Sequence, residues 1–328
     1  MVLADKLDGE GGPLMFVNVP DAEQLENTAL RLYFDAWERT VTLYEDFCGV
    51  YAVSIEEVAG KHNFSEEWDE YVAGAQAEMG AICAIIQQSA EIRLKSIICS
   101  VSPYLLLLNS EVPMKAGGVD LDFTSLRTLD AVDLPKAVRT MTGFDLTDSY
   151  IEKYGELRKR RNQVAHLGAH QGGLSPPALI ETLAQQFLAL WPDGRWLRRR
   201  TEFDGTSARR FFHDDRYSSV ETIIMAELPS TLALLNNETF KKAFGVAKGK
   251  LSGFCPDCVY AVARKSGIDA ESTAYQTGEF TAHCAMCEVD MQLSSEAEGC
   301  ERCDSVLVAT VATDDPKANV ACYGCGDG

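Results

Sequence analysis

The 328-residue chain carries a formal net charge of -19, with 46% hydrophobic and 24% charged residues. This composition is typical of a soluble globular protein long enough for two domains, and the acidic balance argues against a protein that coats nucleic acid indiscriminately. The N-terminus lacks the basic flank and apolar stretch of a secretory signal, and no run reaches the roughly 18 uninterrupted apolar residues of a membrane helix. We therefore predict a cytoplasmic protein with no membrane association.

Helical periodicity dominates the sequence up to residue 250. Residues 1–20 are Gly-rich, and we predict a flexible N-terminus there. Apolar residues at helical spacing then predict a helix over 22–48, with Asp21 as its N-cap and Gln24 three positions later. A second, longer helix is predicted to begin at Ser65.

Pro103 is expected to kink or end that second helix. Further helices are predicted over 134–142, from about Thr147, over 176–191 after an N-cap at Ser175, and over 219–245, which the NNET segment at 236–239 could interrupt. Residues 192–218 are Arg-rich, and we predict irregular structure for them. The predicted fold class is mainly α, with an N-terminal helical extension over 21–64 and a helical bundle over 65–250.

Beyond residue 250 the sequence changes to cysteine pairs and strand-like alternation. Four Cys-x-x-Cys pairs are present: Cys255 with Cys258, Cys284 with Cys287, Cys300 with Cys303, and Cys322 with Cys325. Each pair presents two thiolates on one turn, and two such turns complete a tetrahedral zinc shell. We therefore predict a small β-rich double zinc-ribbon module over 251–328 with two structural zinc ions. No catalytic metal is expected, because a closed four-sulfur site leaves no coordination position open.

The sequence leaves the combination of these pairs open. Pairing in chain order is one possibility, and residues 305–321 then form a hairpin with its turn at Asp314-Asp315-Pro316. In a nested scheme, the two inner pairs would share one ion. His283 is interpreted as a bystander, because eight cysteines already fill two sites. The acidic module suits a protein partner or a dimer contact better than phosphates. The remaining cysteines, predicted to be buried core residues, are Cys48, Cys83 and Cys99.

One short segment concentrates positive charge in this acidic chain. Residues 158–166 read RKRRNQVAH, near the C-terminal end of a predicted helix. Exposed carbonyl groups at such an end favour a charged imidazole at His166, and Asn162 lies four residues before it on the same side of the helix. Arg161 falls on or beside the apolar face, where a buried arginine needs a partner. Compensation of the helix dipole, with His166 as an ordinary interface histidine, is the alternative interpretation.

The pattern R-N-x-x-x-H at Arg161, Asn162 and His166, after a long helix ending EIRLKSIICSVSPYLLLL, resembles the HEPN superfamily over roughly residues 65–240. The resemblance implies a metal-independent endoribonuclease with its active site across a homodimer, and a role as a toxin or antiviral defence effector. It also implies that His166 moves the proton of the ribose 2'-hydroxyl or protonates the leaving 5'-oxygen. Arg161 would neutralise the developing phosphorane, and Asn162 would orient one of the two.

Other basic side chains are candidates for contacts with an RNA backbone. They are Arg158, Lys159, Arg160, Arg198, Arg199, Arg200, Arg209 and Arg210. The alternative function is a non-catalytic helical scaffold that binds RNA or a nucleotide and docks a protein through its zinc-ribbon module. A DNA-binding regulator is a third hypothesis, which the negative charge of the module disfavours.

Overall fold

The structure, a computed structural model, describes most of the chain. The described residues are 16–51, 64–108, 120–167, 173–192, 195–206, 220–263, 270–295, 299–311 and 319–327. Residues 1–15, the turn predicted at Asp314-Asp315-Pro316, and the candidate RNA contacts Arg209 and Arg210 lie outside these ranges. Among the residues that the structure describes, no helix combines the length and the apolar character that a membrane crossing requires.

The described part of the chain is mainly helical, which confirms the predicted fold class at that level. Its helices are α1 (Ala22–Tyr51), α2 (Ser65–Gly74), α3 (Gln76–Cys99), α4 (Leu134–Met141), α5 (Asp148–Leu167), α6 (Pro176–Leu190), α7 (Trp196–Thr206), α8 (Val220–Leu234), α9 (Asn237–Phe244) and α10 (Pro256–Ala263). The long helix predicted from Ser65 is divided at Ala75 into α2 and α3, and α3 ends four residues before Pro103.

Side-chain caps fix three helix starts, of which those at Asp21 and Ser175 are predicted from the sequence. The capping oxygens accept from backbone N–H groups three residues later: Asp21 from Gln24 at 2.9 Å, Ser175 from Ala178 at 3.4 Å, and Asn236 from Thr239 at 2.8 Å. Each bond satisfies an N–H that has no partner within its own helix. The cap at Asn236 also confirms that the NNET segment interrupts the helix predicted over 219–245.

One helix lies where the sequence predicts irregular structure. The prediction over 192–218 is wrong for α7, whose Trp196, Leu197 and Arg200 side chains are all buried. These positions follow the i, i+1, i+4 spacing of a single helix face. A hydrophobicity pattern does not reveal that face, because an arginine occupies one of its central positions.

The strands form two sheets. Strands β1 (Phe16–Val17) and β2 (Leu121–Asp122) make a short parallel pair, which the sequence does not predict. The second sheet contains β3 (Ala274–Gln276), β4 (Thr281–Cys284), β5 (Asp290–Ser295), β6 (Leu307–Val311) and β7 (Val320–Cys322), antiparallel and in chain order. The pairing of β6 with β7, in which Ala309 lies opposite Ala321, confirms the predicted hairpin.

The chain divides into two compact units that interleave along the sequence. Unit 1 comprises residues 1–30 and 88–155, and unit 2 comprises residues 31–87 and 156–328. The limits of these units differ from the domain boundaries predicted after residues 64 and 250. Those domain boundaries stay predictions. All of the candidate site residues belong to unit 2.

In unit 1, the first turns of α1 are fixed to the C-terminal half of α3. The Ser89 hydroxyl donates to the carbonyl of Ala29 at 2.8 Å, and Arg93 pairs with Glu26 at 2.8 Å. A buried hydroxyl on one helix that donates to the backbone of another stabilises a single register between them, because an unpaired buried polar group is costly.

In unit 2, an aromatic cluster forms the core between α1 and the helices that follow α5. The Trp196 indole donates to the Tyr33 hydroxyl at 3.0 Å, and the rings of Trp196 and Trp37 lie 4.4 Å apart. The rings of Phe187 and Trp191 also pack against the ring of Tyr33. Helix α8 packs against α6, α7 and α10, so the first helix of the cysteine module is part of the same unit.

Candidate metal centres and the Arg161 region

The structure brings the eight paired cysteines together in two groups of four. The first contains Cys255, Cys258, Cys284 and Cys287, and the second contains Cys300, Cys303, Cys322 and Cys325. This arrangement confirms pairing in chain order and excludes the nested scheme. Within each group, all of the sulfur atoms lie within 4.8 Å of one another. Both groups could therefore hold a metal ion.

The sulfur positions fit a four-coordinate ion and do not fit disulfides. Cys255 Sγ lies 3.6 Å from Cys287 Sγ, and Cys258 Sγ lies 3.7 Å from Cys284 Sγ. The corresponding distances in the second group are both 3.6 Å. A disulfide bond has a length of about 2.05 Å. A tetrahedral zinc site with Zn–S bonds of about 2.3 Å places its sulfurs about 3.8 Å apart. The two groups match this second geometry, which is consistent with two structural zinc ions.

One backbone turn recurs at each cysteine pair. The N–H group that follows the second cysteine donates to the carbonyl of the first cysteine, as at Glu288, whose N–H lies 3.0 Å from the Cys284 oxygen. The other three such bonds are from Val259 to Cys255 at 2.9 Å, from Asp304 to Cys300 at 3.0 Å, and from Gly326 to Cys322 at 2.8 Å. The turn directs both thiols of a pair to the same side. Three of these following residues have left-handed φ values: 62° at Glu288, 58° at Asp304 and 77° at Gly326.

Local hydrogen bonds favour the thiolate form at one ligand in each group. Hydrogen bonds from the Cys255, Cys258 and Cys287 thiols hold the pKa of Cys284 well below its usual value. The N–H groups of Arg302 and Cys303 lower the pKa of Cys300 to about 7. The shifts differ among the ligands of one group: contacts among the sulfurs raise the pKa of Cys258, and burial raises the pKa of Cys325 to about 12. Binding of a metal ion requires the thiolate form at every ligand.

The two groups differ in burial. Cys255, Cys258 and Cys284 are buried in the first group, whereas Cys303 of the second group is exposed.

The ring of Tyr323, the residue that follows Cys322, lies against Gly253, which is two residues before Cys255. A Cβ atom at Gly253 would be 2.0 Å from the Tyr323 Cζ atom, so this close approach requires glycine.

The remaining cysteines and His283 lie outside both groups, as predicted. Cys48, Cys83 and Cys99 are buried in the helical part of the chain. His283 lies on β4, the strand that ends at Cys284, and its Nδ1 atom is 2.8 Å from Oδ1 of Asp290. It is not a member of either sulfur group.

Arg161 is held by two amide groups near the end of α5. Its Nε donates to the side-chain oxygen of Gln87 on α3 at 3.2 Å, and its Nη1 donates to that of the adjacent Asn162 at 3.1 Å. Gln87 is fully buried, so the acceptor is fixed within the helix packing. The sequence does not predict this partner, because Gln87 is 74 residues away and has no neighbouring motif. His166 lies in the last turn of α5, and its side chain is outside the described part of the structure.

The other cations of the RKRR segment differ in exposure. Lys159 and Arg160 are exposed, whereas Arg158 and Arg161 are half-buried. Arg160 acts electrostatically on the buried Cys83 thiol of α3, where burial raises the thiol pKa and the arginine opposes that shift. Because the Lys159 and Arg160 side chains are exposed, both are accessible to an external anion.

Arg200 does not have the predicted role. Its side chain is completely buried, and three carboxylates surround it. Arg200 Nη2 contacts Glu38, Nε lies 2.8 Å from Asp204, and Nη2 lies 3.3 Å from Glu227. A guanidinium that is enclosed in this way cannot contact an RNA backbone, so its assignment as an RNA contact is wrong. The neighbouring Arg198 is exposed and Arg199 is half-buried, and their assignments stay predictions.

The Arg200 cluster contains a carboxyl group with an altered proton affinity. Burial raises the pKa of Glu227 from 4.5 to about 7; Arg200 opposes the shift, and the carboxylates Glu38, Asp204 and Glu45 increase it. The folded protein therefore retains a proton that the unfolded chain has lost between about pH 4.5 and about pH 7.

Glu227→Gln is expected to make the free energy of unfolding less dependent on pH. In the unsubstituted protein, the raised pKa predicts a loss of about 3 kcal/mol as the pH rises through this range, at about 1.4 kcal/mol per pH unit. Glutamine keeps an oxygen for Arg200 but does not ionise. Urea unfolding at several pH values between about 5 and about 8 measures the difference. Glu238→Gln, at an exposed glutamate paired with Lys242, is the control. An unchanged pH dependence in Glu227→Gln would contradict the assignment.

Comparisons of the chain with protein-family models, with curated proteins and with solved structures find no match. The resemblance to the HEPN superfamily therefore stays a prediction from the sequence.

Proposed function

We propose that the protein is a metal-independent endoribonuclease of HEPN type, with Arg161, Asn162 and His166 at its reactive centre and structural zinc in both cysteine groups. The observation that carries the proposal is the fixed guanidinium of Arg161, held by the amide oxygens of Gln87 and Asn162. These two amide oxygens orient the guanidinium. A fixed positive charge suits the stabilisation of a developing phosphorane, because it needs no reorganisation during the reaction.

The proposed reaction needs one proton acceptor and one proton donor. The ribose 2'-oxygen attacks phosphorus as His166 removes its proton. The bond from phosphorus to the 5'-oxygen then breaks as the His166 imidazolium gives that proton to the 5'-oxygen. The products are a 2',3'-cyclic phosphate and a 5'-hydroxyl. An ideal helix separates residues 161 and 166 by about 140° around its axis. We therefore propose a homodimer in which each chain contributes to a shared site.

His166→Ala is expected to lower cleavage of a single-stranded RNA oligonucleotide at least 100-fold, because general acid–base catalysis contributes about 10² to 10⁴ in rate. The assay contains EDTA for a period too short for zinc loss, and it detects 2',3'-cyclic phosphate ends. His170→Ala, at the next histidine along the chain, is the control. Size-exclusion chromatography with light scattering tests whether the variant keeps its oligomeric state.

Two outcomes would contradict the proposal. Cleavage that persists in His166→Ala would remove His166 from the mechanism. RNA that binds but is never cut by the unsubstituted protein would favour the scaffold function.

A further inference from the structure

Three arginines line an open cleft at the start of α7. The cleft has a volume of about 430 Å³ and is lined by Arg195, Arg198, Arg199 and Glu202. Positions 195, 198 and 199 are neighbours on one side of a helical turn. The opposite side carries the buried Trp196 side chain, which fixes the helix in the core of unit 2. Arg195 and Arg198 are therefore exposed to solvent on a rigid support, and Arg199 lies half-buried beside them.

The cysteine module supplies a carboxylate to these arginines. Glu288 Oε2 contacts Arg195 Nη1 and lies 3.8 Å from Arg198 Nη1. The Glu288 side chain is only 15% exposed, whereas the Arg195 and Arg198 side chains are 62% and 48% exposed. Two guanidinium groups thus converge on one oxyanion, which is the geometry in which arginine recognises carboxylates and phosphates.

The backbone position of Glu288 is set by the turn of its own cysteine pair. Its backbone N–H donates to Cys284, and its φ of 62° follows from the turn of the Cys284 and Cys287 pair. Glu202 pairs with Arg198 at 2.8 Å from within the same helix. Ion pairs with exposed arginines contribute little to stability, so an external anion can replace Glu288 without a large loss in the fold.

We propose that Arg195, Arg198 and Arg199 bind a phosphodiester group of an RNA backbone, and that the Glu288 carboxylate occupies the position of that phosphate in the free protein. RNA as the source of the phosphate rests on the proposed function. The site is separate from Arg161, and it makes Glu288 an internal competitor that weakens RNA binding. The sequence analysis indicates neither the basic Arg195 nor the acidic Glu288 as part of a binding site.

The test measures binding of a fluorescein-labelled 2'-O-methyl RNA oligonucleotide, which lacks the 2'-hydroxyl that cleavage requires. Failure of the site is therefore distinguishable from failure of the proposed ribonuclease activity. Glu288→Gln is expected to tighten binding about 3- to 10-fold, since it removes the competing charge. The double substitution Arg195→Gln and Arg198→Gln is expected to weaken binding about 10-fold and to reduce its dependence on salt. Arg39→Gln, at an exposed arginine paired with Asp35, is the control.

Three results would overturn the proposal. One is a Glu288→Gln variant that keeps its metal content and binds RNA no more tightly. Another is a double arginine variant that binds RNA as well as Arg39→Gln does. The third is displacement of the RNA by an equimolar amount of inorganic phosphate, because a site for a polyanion backbone should prefer RNA to the isolated ion. The arginine variants keep the test decisive if Glu288→Gln does not fold.

Discussion

Cys258→Ser is expected to lower the zinc content from about two ions per chain to about one and to unfold the sheet around the first cysteine group. The substitution leaves Cys255 and Cys284 buried without a complete ligand shell. Structural zinc binding contributes about 10–16 kcal/mol in small zinc-dependent peptides, which is as large as the whole stability of an ordinary domain. Elemental analysis and hydrogen exchange over β3 to β5 measure the two effects.

A matched control is Cys48→Ser, at a buried cysteine outside both groups. This variant is expected to keep about two zinc ions. Cys303→Ser should also lose about one ion, but with less loss of protection in the sheet, because Cys303 is exposed. Two zinc ions retained in Cys258→Ser would contradict the assignment of the first group as a metal site.

Arg200→Met is expected to destabilise the protein by about 3–5 kcal/mol, because removing one partner of a buried ion pair leaves uncompensated charge. Arg200 is enclosed by Glu38, Asp204 and Glu227, and its guanidinium carbon lies 4.8 Å from the centre of the Phe34 ring. Methionine fills a similar volume but leaves the buried Asp204 and the partly buried Glu38 and Glu227 without this cation. Urea unfolding at neutral pH measures the change.

Arg198→Met, two residues away on the same helix, is the control for this prediction. Arg198 is 48% exposed, and its pairing with Glu202 is a surface contact within one helix. A much smaller change in the free energy of unfolding is therefore expected. Equal effects of the two substitutions would show that the Arg200 cluster does not stabilise the fold.

Features that depend on short sequence spacing could be predicted well. The Cys-x-x-Cys pairs, the hairpin between Cys303 and Cys322, and the helix starts at Asp21 and Ser175 all match the structure. In each case the determining residues lie within a few positions of one another, or within a single hairpin. The local backbone therefore determines the result with little contribution from the rest of the fold.

Features that depend on distant polar partners could not be predicted. Arg200 and Glu38 are 162 residues apart, and Arg161 and Gln87 are 74 residues apart. A polar side chain becomes a core residue only when such a partner is buried beside it, and no sequence pattern identifies the partner. Two local signals could have indicated α7, since Arg200 and Asp204, and likewise Arg198 and Glu202, are oppositely charged and four residues apart.

The ring of Tyr323 against Gly253 restricts how this chain can vary. Even the methyl group of alanine at position 253 would occupy space that the ring now fills, so the ring would have to move. Substitution of either residue thus changes the space that is available to the other. Gly253 lies two residues before Cys255 of the first cysteine group, and Tyr323 follows Cys322 of the second group. A substitution at either position therefore restricts which residue the other position can hold.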